Sequence, residues 1–344
     1  MIVALDAQLT VGTATGAGVY ARDLTEALRA QSIDVRALRA PWLDPWRFDR
    51  RVLWDQVLLP IAAARSNATL LHATAGTLPF VRTIPTVVTV HDLAWHRAQS
   101  HTRAYARIYF GNLQARAYRH AHAIICDSHF TATEYKTLID PNANPTVIHP
   151  GVDPRFATIE RHPDENPFAL VVGTVEPRKN LAILIEALAA IPTLRIISVG
   201  PPTPYAQEVK RQAAELHVLD RLDLRGYVTQ AELDDLYARA TCALIPSRYE
   251  GFGYALAEAM CAGVPAIAAD SSSLIELATI TPEAAIPLLP PTDASAWTDA
   301  IRATLNARDA AQQRATKIKE TAVNRFAWST AAKKTAEVYA RIAP

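Results

Sequence analysis

The sequence has few cysteines, little excess charge of either sign and no long apolar run. Three cysteines among 344 residues are too few and too scattered for a disulfide framework or a zinc cluster, so we expect three reduced core thiols. No run of about 18 apolar residues occurs, which predicts no membrane span. The net charge of +1 excludes nucleic-acid binding through bulk positive charge. The first residues lack a basic and apolar leader pattern, so we expect no signal peptide and a cytoplasmic location.

Acidic residues are absent between Asp92 and Asp127, where arginines alternate with aromatic side chains. A basic, aromatic-rich helix can lie on an anionic membrane surface or meet a phosphate-bearing acceptor. It can equally be a solvated helix whose aromatic side faces the core. A second basic and aromatic segment, 42–54, favours the membrane or the anionic acceptor. The arginines expected on that side are Arg103, Arg107 and Arg116.

Strand-like apolar runs alternate with helical patterns along the chain. This alternation predicts an α/β fold with parallel sheets and helices on both faces. A polar, proline-containing stretch at 155–167 is the candidate linker between two doubly wound domains, 1–160 and 161–327. Ligands of such folds bind at the carboxyl ends of strands, so we expect a site in the cleft between the domains. The predicted strands are 2–5, 69–72, 86–90, 123–126, 146–149, 169–172, 195–199, 222–224, 243–245 and 266–268.

One chemistry-bearing segment follows the predicted strand 243–245 and reads Glu250-Gly-Phe-Gly-Tyr-Ala-Leu-Ala-Glu258. Its two glycines would let the backbone approach a ligand and leave amides free where a helix begins. A helix N-terminus presents unpaired N–H groups to a phosphate. One glutamate would bind the hydroxyls of a sugar and the other those of a ribose. A glycine-rich turn followed by a solvated glutamate would show the same spacing.

A second segment, Gly173-Thr-Val-Glu-Pro-Arg178-Lys179-Asn180, follows the predicted strand 169–172. Arginine and lysine at the opening of such a turn suit a diphosphate, the arginine by its fork and the lysine as a point charge. The alternative is an exposed basic turn without a ligand. This alternative is disfavoured when the segment is considered together with the glutamate-containing segment.

Two further motifs are weak when taken alone. Gly16-Ala17-Gly18 is a small-residue loop that enters the first helix and permits close ligand approach, although a tight turn explains it equally well. His91-Asp92 ends a predicted buried strand, where both side chains would project into the cleft. The alternative is that Asp92 caps a helix and that His91 is a core histidine whose hydrogen bonds are made within the protein.

Read in order, the motifs resemble the family-4 retaining glycosyltransferases, over nearly the whole chain. The resemblance is greatest to bacterial mannosyl- and rhamnosyltransferases of surface polysaccharide assembly. The first glycine pair departs from the family pattern because Ala17 separates the glycines, and the segment after Glu276 lacks the family's Gly-Asp-Ala. The matching segments are His91-Asp92, Asp127-Ser128, His149 to Asp153, Glu176 to Asn180, Pro246 to Pro265, Ser273 to Glu276 and Arg325 to Trp328.

The resemblance implies a GT-B fold, with two Rossmann-like domains facing across a cleft and a C-terminal helix, 328–344, crossing back to the first domain. The N-terminal domain would bind the acceptor and the C-terminal domain the nucleotide-sugar. Arg178 and Lys179 would hold the donor diphosphate, Glu258 the ribose and Glu250 the sugar hydroxyls. The other donor contacts implied are Gly16, Gly18, Gly173, Tyr227, Val228, Gly251, Phe252, Gly253, Tyr254, Ala255 and Leu256.

The resemblance also implies that His91 contacts the transferred sugar and helps to stabilise its developing positive charge. His91, Arg178, Lys179 and Glu250 are then the expected catalytic residues. No Asp-x-Asp triplet occurs in the sequence, which agrees with a metal-independent transfer without a cofactor, in which protein cations replace a divalent ion.

GDP-mannose is the donor expected first, followed by dTDP-rhamnose and UDP-sugars. The expected acceptor is a saccharide or a lipid-linked saccharide, and the enzyme would be cytoplasmic or peripheral on the inner face of the membrane. Two alternatives remain open on the same fold. One is a non-catalytic glycan- or partner-binding protein, and the other is a nucleotide-sugar epimerase.

Overall fold

The computed structural model describes residues 1–12, 16–96, 104–281 and 284–343. These residues divide into two units: Met1–Gly151 together with Phe326–Pro344 form the first, and Val152–Arg325 form the second. Each unit is built on a six-stranded sheet in which neighbouring strands run parallel, which confirms the predicted α/β class.

The strands are short, and the central ones are rich in apolar residues, as the sequence predicts for buried parallel sheets. They are β1 (Ile2–Asp6), β2 (Asp34–Leu38), β3 (Leu70–Ala73), β4 (Thr86–Val90), β5 (Ala123–Cys126), β6 (Thr146–Val147), β7 (Phe168–Val172), β8 (Arg195–Val199), β9 (Leu222–Gly226), β10 (Cys242–Ile245), β11 (Ala266–Ala269) and β12 (Leu288–Leu289). The sheet orders are β2-β1-β3-β4-β5-β6 and β12-β11-β10-β7-β8-β9. β2 and β12 were not predicted; both are edge strands, and β2 carries an exposed arginine, Arg36, in its middle.

Most helices lie between successive strands, and the last three follow β12. They are α1 (Gly16–Ala30), α2 (Phe48–Leu53), α3 (Leu59–Arg65), α4 (Ala104–Ala106), α5 (Gln114–Tyr118), α6 (His129–Leu138), α7 (Ile185–Ala190), α8 (Tyr205–Glu215), α9 (Gln230–Arg239), α10 (Tyr254–Ala262), α11 (Leu274–Ala278), α12 (Ala294–Asn306), α13 (Arg308–Arg325) and α14 (Trp328–Ile342). π-Helical turns at Trp54–Leu58 and Arg107–Leu113 make 48–65 and 104–118 two continuous helical segments. Among the described residues, no helix has the length and apolar content to cross a membrane.

The last helix, α14, belongs to the core of the first unit. Its Val338 and Tyr339 pack in one cluster with Leu5 of β1 and Leu24 of α1. The hydroxyl of Tyr339 lies 2.6 Å from Nδ1 of His72 on β3, and both side chains are fully buried. The three cysteines, Cys126, Cys242 and Cys261, are buried and unpaired, as predicted.

The stretch 155–167 is not a linker, so this interpretation of the sequence was wrong. Phe156 packs against Tyr237 with ring centroids 5.2 Å apart, and both rings are buried. The guanidinium of Arg161 donates hydrogen bonds to the carbonyls of Tyr237, Ala238 and Ala240 at the end of α9. The stretch is therefore part of the second unit, which begins at Val152 rather than at residue 161.

A buried charge cluster fixes the helical segment 48–65 against the end of β1. Nε of Arg51 donates to Oδ2 of Asp55 at 3.0 Å, and NH2 of Arg51 lies 3.7 Å from Oδ2 of Asp6, the last residue of β1. Nε1 of Trp54 donates to Oδ1 of Asp6 at 2.9 Å, and the Tyr109 hydroxyl donates to Asp55 at 2.9 Å. Since all of these side chains are buried, each charge depends on its partner.

Replacing Arg51 by methionine should therefore unfold the chain more easily. The change leaves Asp6 and Asp55 buried without a cation, which costs about 3–5 kcal/mol of unfolding free energy. Burial raises the pKa of Asp55 to about 6, against the opposing charge of Arg51. The loss should therefore be smaller near pH 5, where a neutral Asp55 no longer needs the cation, than near pH 8.

Urea denaturation at both pH values measures this loss. The matched control is Arg47→Met, directly before the same segment, because the Arg47 side chain is 58% exposed and should contribute less than about 1 kcal/mol. Equal effects of the two substitutions would contradict a stabilising role of the buried cluster.

Candidate active site

The second sheet changes direction between β7 and β10. From β7 the chain moves outward to β8 and β9, whereas from β10 it moves outward in the opposite direction to β11 and β12. The loops that leave β7 and β10 therefore diverge and leave a crevice at their carboxyl ends, where open α/β sheets bind ligands. The segment 173–180 follows β7, and the segment 246–253 follows β10.

The structure brings three of the predicted site residues together at this point. Nζ of Lys179 donates to Oε1 of Glu250 at 2.5 Å, and NH1 of Arg178 donates to Oε2 of Glu250 at 3.1 Å. Arg178 also donates to the carbonyl of Tyr249 at 2.9 Å and to the carboxylate of Glu176 at 2.8 Å. One carboxylate and two cations thus form a single ion-paired cluster.

The charge state of Glu250 follows from these contacts. The side chain is buried, which raises the pKa of its carboxyl, but the charges of Lys179 and Arg178 oppose burial and hold the pKa below its usual value. Glu250 is therefore a carboxylate. Because Lys179 is only 19% exposed, its attraction to an anion is little screened by water.

Asn180 holds the loop that carries both cations. Its backbone is left-handed, with φ of 58°, and closes the single 3₁₀ turn Pro177–Lys179. Its buried amide nitrogen donates to the carbonyls of Pro246 and Pro291 at 3.0 and 2.8 Å. Nε of Arg248 donates to the Asn180 side-chain oxygen at 3.1 Å. Asparagine, which tolerates a left-handed backbone, thus ties the loop after β7 to the loop after β10.

Glycines allow the strand ends of the second sheet to approach each other. Gly173 has φ of 136°, and a Cβ there would lie 3.3 Å from Cε of Lys179. A Cβ on Gly200, at the end of β8, would lie 2.2 Å from the carbonyl oxygen of Gly173. Sequence reasoning missed Gly200, although a glycine directly after an apolar strand was a usable sign.

Gly253 has a structural purpose in addition to the ligand contact predicted for it, which stays a prediction. Its φ of 99° suits only glycine, and a Cβ there would lie 2.8 Å from Cδ2 of Leu274. The glycine is thus needed for packing at the start of α10. The Leu256 amide, predicted to contact the ligand, donates instead to the carbonyl of Gly253 at 3.0 Å, and the Leu256 side chain is buried.

Two serines that sequence reasoning did not place in the site hold the segment after β10. The amide of Glu250 donates to Oγ of Ser272 at 2.9 Å. Oγ of Ser273 donates to the carbonyls of Glu250 and Phe252 at 3.0 and 2.8 Å. These contacts fix the backbone of Glu250, so its carboxylate is positioned from both the main chain and the side chain.

Glu258 lies apart from Glu250, on α10, and has its own partner. The hydroxyl of the buried Tyr237 donates to Oε2 of Glu258 at 3.0 Å. Burial raises the pKa of Glu258 to about 7, while the Tyr237 hydrogen bond opposes this rise. Tyr237 was not predicted, because its role depends on the neighbouring α9 and α10.

Tyr227 and Val228 follow the edge strand β9, and Tyr227 is exposed. The remaining predicted donor contacts after β10 are the buried Gly251 and Phe252 and the half-buried Tyr254 and Ala255.

In the first unit, Gly16 and Gly18 begin α1, which follows β1. His91 follows β4, with Nδ1 2.6 Å from Oδ2 of Asp127 and Nε2 2.7 Å from the carbonyl oxygen of Thr74. A carbonyl oxygen only accepts, so Nε2 carries a proton. Burial lowers the pKa of His91, but Asp127 and the two hydrogen bonds outweigh it and raise the pKa above its ordinary value.

Both ring nitrogens of His91 therefore face acceptors, the carboxylate of Asp127 and the carbonyl of Thr74, an arrangement that favours the protonated ring. Because a cation does not stabilise developing positive charge, the charge-stabilising part of the role expected for His91 stays a prediction.

The predicted basic segment is described from residue 104 onward. Arg107 and Arg116 are exposed, whereas Arg103 lies outside the described residues. Tyr109 and Tyr118 are buried, so part of the aromatic side faces the core, while Tyr105 is exposed. The buried tyrosines agree with the interpretation in which an aromatic side faces the core, and contact of the exposed arginines with a membrane or an anionic acceptor stays a prediction. Within the described ranges, no group of three or more His, Cys, Asp or Glu side chains could hold a metal ion.

Comparison with known families identifies the class of protein. A family model described as "Glycosyltransferase Family 4" matches residues 14–156, and one described as "Glycosyl transferases group 1" matches residues 153–323. Together the two models span most of the chain, which therefore belongs to the glycosyltransferases that they describe, as the sequence motifs predict.

Individual relatives match only part of the chain. A glycogen synthase of Mycobacterium tuberculosis is 32% identical over 230 residues, 64% of this chain and 54% of that protein. O-antigen chain mannosyltransferase B of Escherichia coli is 35% identical over 115 residues, 32% of this chain and 30% of that protein. These matches span about half or less of the relatives' length.

Solved structures show the fold. Sucrose-phosphate synthase from Thermosynechococcus elongatus has a TM-score of 0.81 at 21% identity, covering 99% of this chain and 98% of that one. Anabaena Alr3699/HepE in complex with UDP-glucose has a TM-score of 0.73 at 20% identity, covering 99% of both chains. WaaG, a glycosyltransferase involved in lipopolysaccharide biosynthesis, has a TM-score of 0.76. The fold is accordingly GT-B, as predicted.

The pairing of His91 with Asp127 predicts a pH-dependent stability. Replacing Asp127 by asparagine should lower the pKa of His91, which NMR titration measures. Because the folded-state pKa of His91 is raised, the pair stabilises the fold fully below pH of about 6.5 and this contribution fades as pH rises through the folded pKa. The variant should therefore lose about 1–2 kcal/mol of unfolding free energy near pH 6 and less near pH 9.

Asp49→Asn is the control, since Asp49 is an exposed partner of Arg47 and should matter little at either pH. A loss that stays constant or grows with pH would show that His91 is neutral.

Proposed function

We propose that the protein is a retaining glycosyltransferase that moves a hexose from a nucleotide-sugar to a saccharide or glycolipid acceptor without a metal ion. The observation that carries this proposal is the convergence of Lys179, Arg178 and Glu250 at the point where the second sheet changes direction. Family membership supports the reaction class, and the site supports the residues.

Lys179 and Arg178 act on the leaving group. A nucleoside diphosphate accumulates negative charge as the sugar leaves, and fixed cations in a poorly hydrated site stabilise that charge most strongly. Asn180 holds the loop through hydrogen bonds to the protein itself, so little reorganisation is needed when the charge develops. In this proposal the protein cations do the work of a divalent ion.

Glu250 has two roles in the proposed reaction. It fixes the directions of the two cations through its paired oxygens, and the Ser247 side chain also hydrogen-bonds to this carboxylate. Since a carboxylate has about four acceptor positions, it keeps capacity for a further hydrogen bond from a sugar hydroxyl. Glu258, with Tyr237 on one oxygen, accepts hydrogen bonds from the ribose hydroxyls. His91 contacts the transferred sugar, and no charge stabilisation is assigned to its ring.

The proposed transfer needs no general base from the protein, because the leaving group takes the acceptor proton. The acceptor hydroxyl oxygen forms a bond to the anomeric carbon on the face from which the diphosphate leaves. The carbon–oxygen bond to the diphosphate breaks, and its electron pair goes to the phosphate oxygen. That oxygen takes the proton of the acceptor hydroxyl, and the anomeric configuration is retained.

GDP-mannose remains the first donor in the proposal. Two relatives bear mannosyltransferase names: the O-antigen enzyme and the MMP alpha-(1->4)-mannosyltransferase of Mycolicibacterium hassiacum, which is 26% identical over 235 residues. UDP-sugars and dTDP-rhamnose are the competing donors. The proposed acceptor is a saccharide, free or lipid-linked.

Release of the nucleoside diphosphate tests the function. The protein is incubated with GDP-mannose, dTDP-rhamnose or UDP-glucose, with methyl mannoside as acceptor and with EDTA present. We expect release from one donor and a product of retained configuration by NMR. Lys179→Ala should slow release at least about a hundredfold, since loss of one such contact costs roughly 3–4 kcal/mol.

Lys210→Ala is the matched control, because Lys210 is an exposed lysine on α8 in the same unit. Nucleotide binding without release would favour the non-catalytic alternative, and interconversion of the sugar without transfer would favour an epimerase. Full activity of Lys179→Ala would overturn the site assignment.

The raised pKa of Glu258 predicts that donor affinity depends on pH. Its carboxylate accepts ribose hydroxyls better than the neutral acid does, so affinity for the nucleoside diphosphate should fall as pH drops from about 8 to about 6. Tyr237→Phe removes a hydrogen bond that lowers this pKa, so it should move the fall to higher pH.

Calorimetric titration across this pH range measures both effects. Glu258→Gln should bind more weakly and show no fall centred near pH 7. A fall that persists unchanged in Glu258→Gln would assign the titration to another group.

A further inference from the structure

The helical segment 48–65 exposes aliphatic side chains where a surface helix normally carries polar ones. Leu53, Val57 and Ile61 are 41%, 44% and 43% exposed and recur every four residues along one side of the segment. On the opposite side lie Arg51 and Asp55, both buried. The usual amphipathic arrangement is therefore inverted.

The buried charge cluster prevents the segment from turning its aliphatic side inward. Arg51 and Asp55 are paired with each other, and Trp54 donates to Asp6 of β1. Rotation of the segment would break these contacts and leave buried charges unpaired, which costs more than burying three aliphatic side chains gains. The buried charge cluster therefore keeps the aliphatic side of the segment facing outward.

Neighbouring segments enlarge this apolar surface. Nε2 of Gln56 donates to the carbonyl of Leu78 at 3.0 Å and its Oε1 accepts from the amide of Phe80 at 2.9 Å, which places the loop 78–82 beside the helix. Gln56 also donates to the Tyr109 hydroxyl at 2.8 Å, which places the segment 104–118 there. We define the apolar face by its exposed members: Leu53, Val57, Ile61, Phe80, Val81 and Ile108.

Positive charge surrounds the apolar face. The segments 45–65, 78–82 and 104–118 contain seven arginines and two aspartates. One aspartate, Asp55, is buried, and the other, Asp49, is paired with Arg47 at 3.0 Å. Arg107 lies next to Ile108 and is exposed, and Arg50 lies within the same turn as Leu53. The net charge presented around the aliphatic side chains is therefore positive.

We infer that the apolar face docks on an anionic lipid bilayer, with its aliphatic and aromatic side chains in the headgroup region and its arginines on the lipid phosphates. Apolar side chains surrounded by arginines suit such an interface. Burial of the apolar side chains and attraction of the arginines to anionic lipids both contribute to the binding free energy. A second copy of the chain is a poorer partner, because a symmetric contact would bring the same arginines together. The inference goes beyond the proposed transfer reaction and does not depend on it.

Vesicle sedimentation tests the inference with the full chain and no nucleotide. Wild-type protein should bind phosphatidylcholine vesicles that contain about one third phosphatidylglycerol, and bind pure phosphatidylcholine vesicles much more weakly. The triple variant Leu53→Asn, Val57→Asn and Ile61→Asn should bind at least about tenfold more weakly. The matched control, Leu216→Asn with Leu219→Asn, changes leucines of 46% and 42% exposure in the second unit and should bind as the wild type does.

A charge variant provides a second test that does not alter the aliphatic side chains. Arg50→Gln with Arg107→Gln should lose about tenfold or more on anionic vesicles, because arginines near such a surface are attracted to its negative charge. Lys333→Gln with Lys334→Gln, two exposed lysines of α14, is the control.

Failure of the wild-type protein to bind anionic vesicles, or undiminished binding by the triple variant, would overturn the inference. So would a wild-type dimer in sedimentation velocity without lipid that the triple variant abolishes, since that would assign the face to a second copy. Because nucleoside diphosphate binding is measured separately, failure here would leave the proposed function intact.

Discussion

The parallel pairing of β7 with β10 is the constraint on which the candidate site depends. These strands are far apart in the sequence, but their carboxyl ends lie side by side, and the chain leaves them in opposite directions. Lys179 and Glu250 can therefore meet at 2.5 Å although 71 positions separate them. Asn180, Ser272 and Ser273 then fix the two loops, so the charges are arranged by the fold rather than by the ligand.

Buried charge has a comparable organising effect in the first unit. Arg51, Asp55 and Asp6 hold the helical segment 48–65 in one orientation, and that orientation leaves aliphatic side chains outside. Such a cluster adds little net stability compared with an apolar core, but it penalises every other packing of the segment. In both units, then, a few ion pairs determine which surfaces are presented.

Much of this was predictable from the sequence, and the failures have physical causes. Buried strands such as β4 and β7 were predicted because central parallel strands are continuously apolar, whereas the edge strands β2 and β12 lack that pattern. Arg178, Lys179 and Glu250 were predicted because cations and carboxylates follow strands at recognisable motifs. Tyr237 and the anchoring serines were missed because their roles arise only when distant segments pack. The raised pKa of His91 likewise depends on Thr74 and Asp127, whose proximity to His91 no spacing in the sequence reveals.

The central claim is that Lys179 and its partners form a nucleoside diphosphate site, and thermal unfolding with GDP, UDP, dTDP and ADP, without added metal, tests it most directly. A ligand that binds only the folded protein stabilises it by roughly 2.7 kcal/mol at a hundredfold excess over its dissociation constant. One of the four nucleotides should stabilise the wild-type protein, and Lys179→Ala should largely lose this stabilisation. Absence of stabilisation by all four, or equal stabilisation of the variant, would contradict it.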